Sequence, residues 1–121
     1  MASRLSYVIK FVADMDRAVA FYRDTLGFPL KFQSPGWSEF ISGETTLALH
    51  AADADHPAGG IRLGLQVPDL QAFYEEMTAQ GIRFTMPPTM QFGVLLAEFL
   101  DSEGAGVSVS GGQAKGSWPG K

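Results

Sequence analysis

The apolar positions change period along the chain in a pattern that occurs twice. Residues 7–12 are β-branched or aromatic apart from Lys10, which predicts a strand. Asp14 follows as a helix N-cap, with Asp16 in the first turn where the helix dipole favours an anion. Met15, Ala18, Val19, Tyr22 and Leu26 then recur at three- and four-residue spacing. They predict one apolar helix face, closed by Gly27. Three short strands are predicted next, at 29–33, 37–42 and 45–50. The turn-forming runs Ser34-Pro35-Gly36 and Ser42-Gly43-Glu44 separate them.

Residues 51–60 are polar and rich in helix and strand breakers, and read as a linker in which His56 is solvated. The pattern then restarts. A strand at 61–67 meets Pro68-Asp69, and Leu70, Phe73, Tyr74 and Met77 form the next helix face, ended by Gly81. Strands are predicted at 82–85, 93–100 and 106–110, with a surface tail at 111–121. Val12-Ala13-Asp14-Met15 parallels Val67-Pro68-Asp69-Leu70, and Ser38-Glu39-Phe40-Ile41 parallels Ala97-Glu98-Phe99-Leu100. A shared amphipathic period explains poorly a Glu-Phe-aliphatic triplet in register, so the chain is read as an internal repeat. The expected fold is α+β: two βαβββ modules forming a curved sheet, or partial barrel, around a cavity. Residues 1–121 are taken as one domain, with module one at about 5–50, linker 51–60, module two at about 61–110 and tail 111–121.

Composition narrows the function. The 121 residues carry 9 Lys and Arg against 13 Asp and Glu, for a net charge of −4. No basic stripe suits a nucleic acid. With no cysteine, disulfides, thiolate metal sites and Cys nucleophiles are excluded. No apolar run approaches membrane-spanning length, and no leader segment is read at the N-terminus, so the expected location is cytoplasmic.

The run Val12-Ala13-Asp14-Met15-Asp16-Arg17-Ala18-Val19-Ala20-Phe21-Tyr22-Arg23-Asp24-Thr25-Leu26-Gly27-Phe28 resembles the opening strand–helix signature of the vicinal oxygen chelate superfamily. That group includes glyoxalase I, bleomycin-resistance proteins, fosfomycin-resistance enzymes and extradiol dioxygenases. Asp101-Ser102-Glu103-Gly104 resembles its Asp-Pro-Asp-Gly turn, with Ser for Pro and Glu for Asp. The resemblance implies a glyoxalase-like fold, a homodimer or an intrachain pairing of modules, and in the enzymes a divalent metal held by His or Glu. The corresponding positions here are Tyr7, Ala48, Arg62 and Ser108. Ala48 offers no donor, Arg62 stays protonated, and a neutral Ser108 is weak. The usual metal site is expected to be absent.

Strand alternation supplies a candidate lining. Leu47, Leu49, Leu63, Leu65 and Val67 are assigned to the helices. Thr46, Ala48 and His50 then face the trough with Arg62, Gly64 and Gln66. By the repeat, Tyr7, Ile9 and Phe11 face it too, while Lys10 snorkels to an edge. Glu39 and Glu98 point inward with Trp37 alongside. Met90 and Phe92, in a loop before a strand, form a rim. Ligand-binding candidates are thus Tyr7, Ile9, Phe11, Trp37, Thr46, Arg62, Met90, Phe92 and Ser108, with His50, Glu39 and Glu98 as candidate catalytic groups.

Three functions fit. A binder of a small, partly aromatic and cationic compound, with no cofactor, ranks first. An enzyme is second: a lyase, isomerase or dioxygenase using His50 as a base, or a divalent metal on His50 with Glu39 or Glu98. A dimeric interaction or regulatory module is third.

Overall fold

The computed structural model describes residues 3–111 and contains two compact units. Of the described residues, the first unit is Ser6–Arg62, and the second takes 63–111 together with 3–5.

In the first unit, strand β1 (Arg4–Val12) leads to helix α1 (Met15–Ala20), and strands β2 (Leu30–Phe32), β3 (Trp37–Phe40) and β4 (Thr46–Ala51) come next. They order as β2-β3-β4-β1, with β4 parallel to β1 and antiparallel to β3. Asp14 caps α1 as expected, its carboxylate accepting the Arg17 N–H at 3.1 Å. Val19, Phe40 and Leu49 form the core beneath the helix, joined by Val12, Met15, Tyr22 and Leu47. Ile9, Phe11 and Ala48 lie on the other face of the same strands.

The helix does not run to Gly27 in α geometry. From Phe21 to Thr25 it widens to a π turn, in which the Leu26 N–H bonds back five residues to the Phe21 carbonyl at 3.1 Å. The extra residue rotates the end of the helix off the core face. Leu26, expected beneath the helix, is 51% exposed for that reason. Gly27, at φ 81°, then reverses the chain.

The second unit repeats the order: β5 (Ile61–Val67), helix α2 (Leu70–Ala79), β6 (Phe84–Gln91), β7 (Val94–Leu100) and β8 (Gly106–Gly111). The strands order as β5-β8-β7-β6. Asp69 caps α2 through the Ala72 N–H at 3.1 Å. Val67, Leu70, Phe73, Ala97 and Val109 form the core, with Leu65, Phe84 and Phe99 against it. The Asp101 carboxylate accepts the Glu103 and Ala105 N–H groups, and Gly104 takes φ 80°, which builds the turn before β8.

The registers show how closely the halves correspond. Glu39 lies opposite Ala48, which lies opposite Ile9. Glu98 lies opposite Ser108, which lies opposite Gly64. The chain is α+β, built from two βαβββ modules.

Four expectations in this half need correction. The strand expected at 82–85 extends to Gln91, so Met90 belongs to β6 and not to a loop. Pro87 and Pro88 are tolerated because β6 is the outermost strand of its unit's order. Phe92 and Gly93 form a two-residue hairpin turn with φ of 52° and 78°. Leu63, assigned to the helix side, is 42% exposed, whereas Leu65 and Val67 further along β5 pack with the α2 core. Gly111, read as tail, ends β8. The rest of the tail reading, 112–121, falls outside the described residues.

Candidate functional site

The face of the first module turned away from α1 carries a buried carboxylate under a layer of rings. β3 delivers Glu39 and Trp37 to this face two residues apart, as strand alternation requires. Glu39 is only 7% exposed. Its Oε2 accepts the Trp37 indole N–H at 2.8 Å and the Tyr7 hydroxyl at 3.4 Å, while Oε1 lies 3.8 Å from the Lys31 ammonium. Burial pushes the Tyr7 hydroxyl up to about 12, helped by the Glu39 charge and its hydrogen bond. Tyr7 is therefore a neutral phenol at ordinary pH, able to donate its proton in a hydrogen bond.

The rings form a continuous series. Tyr7 and Trp37 have centroids 6.0 Å apart, and Trp37 meets His50 edge-on at 5.8 Å. His50 lies 5.1 Å from Phe11, and Phe11 is stacked on His56 at 4.6 Å with planes 10° apart. Trp37, His50 and Phe11 are cross-strand partners on β3, β4 and β1, which explains their succession. Ala48, between Glu39 and Ile9, is fully buried and keeps the carboxylate's row low. Tyr7, Trp37, His50 and His56 are each partly exposed, so the outer layer is aromatic.

His50 has a defined proton arrangement. Its Nδ1 lies 2.7 Å from the Ala51 carbonyl, and a carbonyl only accepts, so Nδ1 carries the hydrogen. In the neutral ring Nε2 then holds the lone pair. No hydrogen bond joins His50 to Glu39 among the described residues, because each is already engaged elsewhere.

The remaining candidates are spread over both modules. Ile9 and Phe11 are buried in this face, and Thr46 stands opposite Tyr7. Arg62 is the second residue of β5 and is half-buried. Glu98 and Ser108 are paired on β7 and β8 in the second module, both half-buried. Met90 is 60% exposed on β6, and Phe92, at the hairpin tip, is 94% exposed. Two contributors escape sequence reasoning. Lys31 comes from a strand that pairs with β3 through an irregular register, so alternation gives it no reliable face. His56, read as solvated, is packed on Phe11; a loop residue has no period to betray it.

A divalent metal does not fit the positions that the resemblance indicates. Ala48 has no donor and Arg62 is cationic, so two of these positions supply no ligand. Among the described residues, no three His, Cys, Asp or Glu side chains come together as a metal cage. No helix among them is long and apolar enough to cross a membrane.

The family model described as the Glyoxalase/Bleomycin resistance protein/Dioxygenase superfamily matches residues 4–109. An uncharacterized protein of Mycolicibacterium smegmatis is 36% identical over 76 residues, which cover 61% of this chain and 64% of that protein. Methylmalonyl-CoA epimerase from Mycobacterium tuberculosis superposes with a TM-score of 0.73 at 23% identity, over 90% of this chain and 87% of that one. A hypothetical protein from Bacillus halodurans C-125 gives 0.78 at 14% identity, over 97% and 99%. The Mn(II)-bound glyoxalase from Novosphingobium aromaticivorans gives 0.72 at 22% identity, over 91% of this chain but 40% of that longer one. At such identities the likeness to these structures is one of fold.

Proposed function

The chain belongs to the Glyoxalase/Bleomycin resistance protein/Dioxygenase superfamily, and we propose that within it the protein binds a small, partly aromatic, cationic compound without a metal. The observation that carries this reading is the ring series on the bare face of the first module, which ends at the buried Glu39. Rings give a ligand flat apolar contact at low entropic cost, and a carboxylate gives an amine a directional partner. The donor-poor set Tyr7, Ala48 and Arg62 supports metal independence. Glu98 and Ser108 are proposed as the corresponding polar groups on the second module's own face, with Met90 and Phe92 as rim residues of that module. The protein is taken to act as a cytoplasmic homodimer.

A thermal-shift screen that pairs planar aromatic amines with aliphatic amines of equal charge tests the reading. Stabilisation by the aromatic members alone, lost in Trp37→Leu, is expected. Native mass spectrometry showing one transition-metal ion per subunit that survives desalting would overturn it.

A second reading rests on His50. With Nδ1 committed to the Ala51 carbonyl, Nε2 is set up as a general base for an isomerase or lyase. Turnover of a carbon acid that is lost in His50→Asn while ligand binding persists would favour this reading over simple binding.

A further inference from the structure

The segment between the modules takes part in the same face. Residues 52–60 are tied to β1 at both ends: the Ala52 N–H donates to the Val12 carbonyl at 2.8 Å, the Gly59 N–H to the Phe11 carbonyl at 2.8 Å, and the Phe11 N–H to the Gly60 carbonyl at 2.9 Å. Between these anchors the chain folds on itself. Asp53 accepts the Asp55 and His56 N–H groups through its side chain, and Asp53 and His56 also exchange backbone hydrogen bonds. From this turn the His56 ring reaches onto Phe11, with Nδ1 3.1 Å from the Asp53 carboxylate.

Two features make the stack easy to exchange. Rotating the His56 side chain gives up one exposed contact to Asp53 and one ring contact, while the three backbone anchors stay in place. Phe11 itself is almost entirely buried, and the His56 imidazole lies stacked over one face of its ring.

We infer that His56 is a displaceable cover: the Phe11 ring is a stacking position for a planar aromatic ligand, occupied in the free protein by the imidazole of His56. This rests on the proposal that the face binds aromatic compounds, and it adds the slot and the residue that guards it. A flat aromatic ring gains Phe11 in exchange for the imidazole, whereas a branched aliphatic group cannot replace a stacked plane. His56 thereby sets specificity for flatness and lowers affinity by holding the slot.

The chain has two histidines, so their ring protons are readily distinguished by NMR. 1-Naphthylmethylamine serves as the probe, titrated into the full chain. Binding is expected to move the His56 ring protons downfield, out of the Phe11 ring current. His56→Ala is expected to bind the probe about three- to ten-fold more tightly, the range of one aromatic pair. Asp53→Asn, which frees the imidazole without deleting it, is expected to shift affinity the same way by less. Equal or weaker binding by His56→Ala overturns the inference. Movement of His50 without His56 also overturns it, yet leaves aromatic binding by this face standing. Failure of the probe to move either histidine, in wild type or His56→Ala, removes both.

Discussion

The indole N–H of Trp37 donates to Glu39 two residues along the same strand, at 2.8 Å. This bond ties the largest ring of the face to its buried carboxylate, so the two side chains stand or fall together. Glu39→Gln keeps an acceptor oxygen for the indole and loses only the loose, partly exposed pair with Lys31. It is expected to cost about 0.5–1 kcal/mol in urea denaturation. Glu39→Leu leaves the Trp37 N–H and the Tyr7 hydroxyl without this acceptor and is expected to cost about 2 kcal/mol.

Tyr7 makes stability pH-dependent in the alkaline range. In the unfolded chain a tyrosine ionises near 10, whereas in the folded protein Tyr7 holds its proton to about 12. A pKa raised by folding gives stability that is complete below about pH 10 and lost as pH rises through about 12. Two pH units correspond to about 2.7 kcal/mol, which screening at a partly exposed site reduces to roughly 1 kcal/mol. Tyr7→Phe should flatten the denaturation profile across this window. In ultraviolet titration of the three tyrosines, the late-ionising phenol should be missing from that variant.

Gly111 sits where α2 begins. A Cβ there would come within 2.8 Å of the Leu70 nitrogen and the Val67 carbonyl oxygen, both backbone atoms that cannot turn aside. Gly111→Ala is expected to cost about 2–3 kcal/mol, read as a lowered midpoint in chemical denaturation. An alanine substitution at the open, exposed Gly36 is the control, and should cost less than about 1 kcal/mol.

Phe92 holds φ at 52° while burying almost nothing. A bulky residue in the left-handed region stores about 1 kcal/mol of strain. Phe92→Asn is therefore expected to stabilise the protein by about that amount. A lower melting temperature for this variant would mean that the ring makes contacts outweighing the strain.

The elements that depend on local spacing were legible in the sequence. Asp14 and Asp69 sit where caps belong, and alternation separates Leu47 and Leu49 from Ala48. The Glu-Phe pairs at 39–40 and 98–99 marked two strands that do occupy matching registers. The features that stayed hidden break their own period or have none. The π turn moves Leu26 off the core face by inserting one residue, which no α-helical spacing anticipates. Pro87 and Pro88 read as loop because an edge position cannot be seen before the strand order is known. Lys31 and His56 reach the site from a bulged strand and a turn, where direction is set by tertiary contacts.

The matched registers give the molecule an internal reference. Ala48 and Ser108 stand in the same place beside Glu39 and Glu98, so a swap of the pair conserves composition, charge and chain length while exchanging two local environments. Any change in stability or binding after the swap then belongs to position rather than to residue type. One polypeptide thus serves as both the experiment and its own standard.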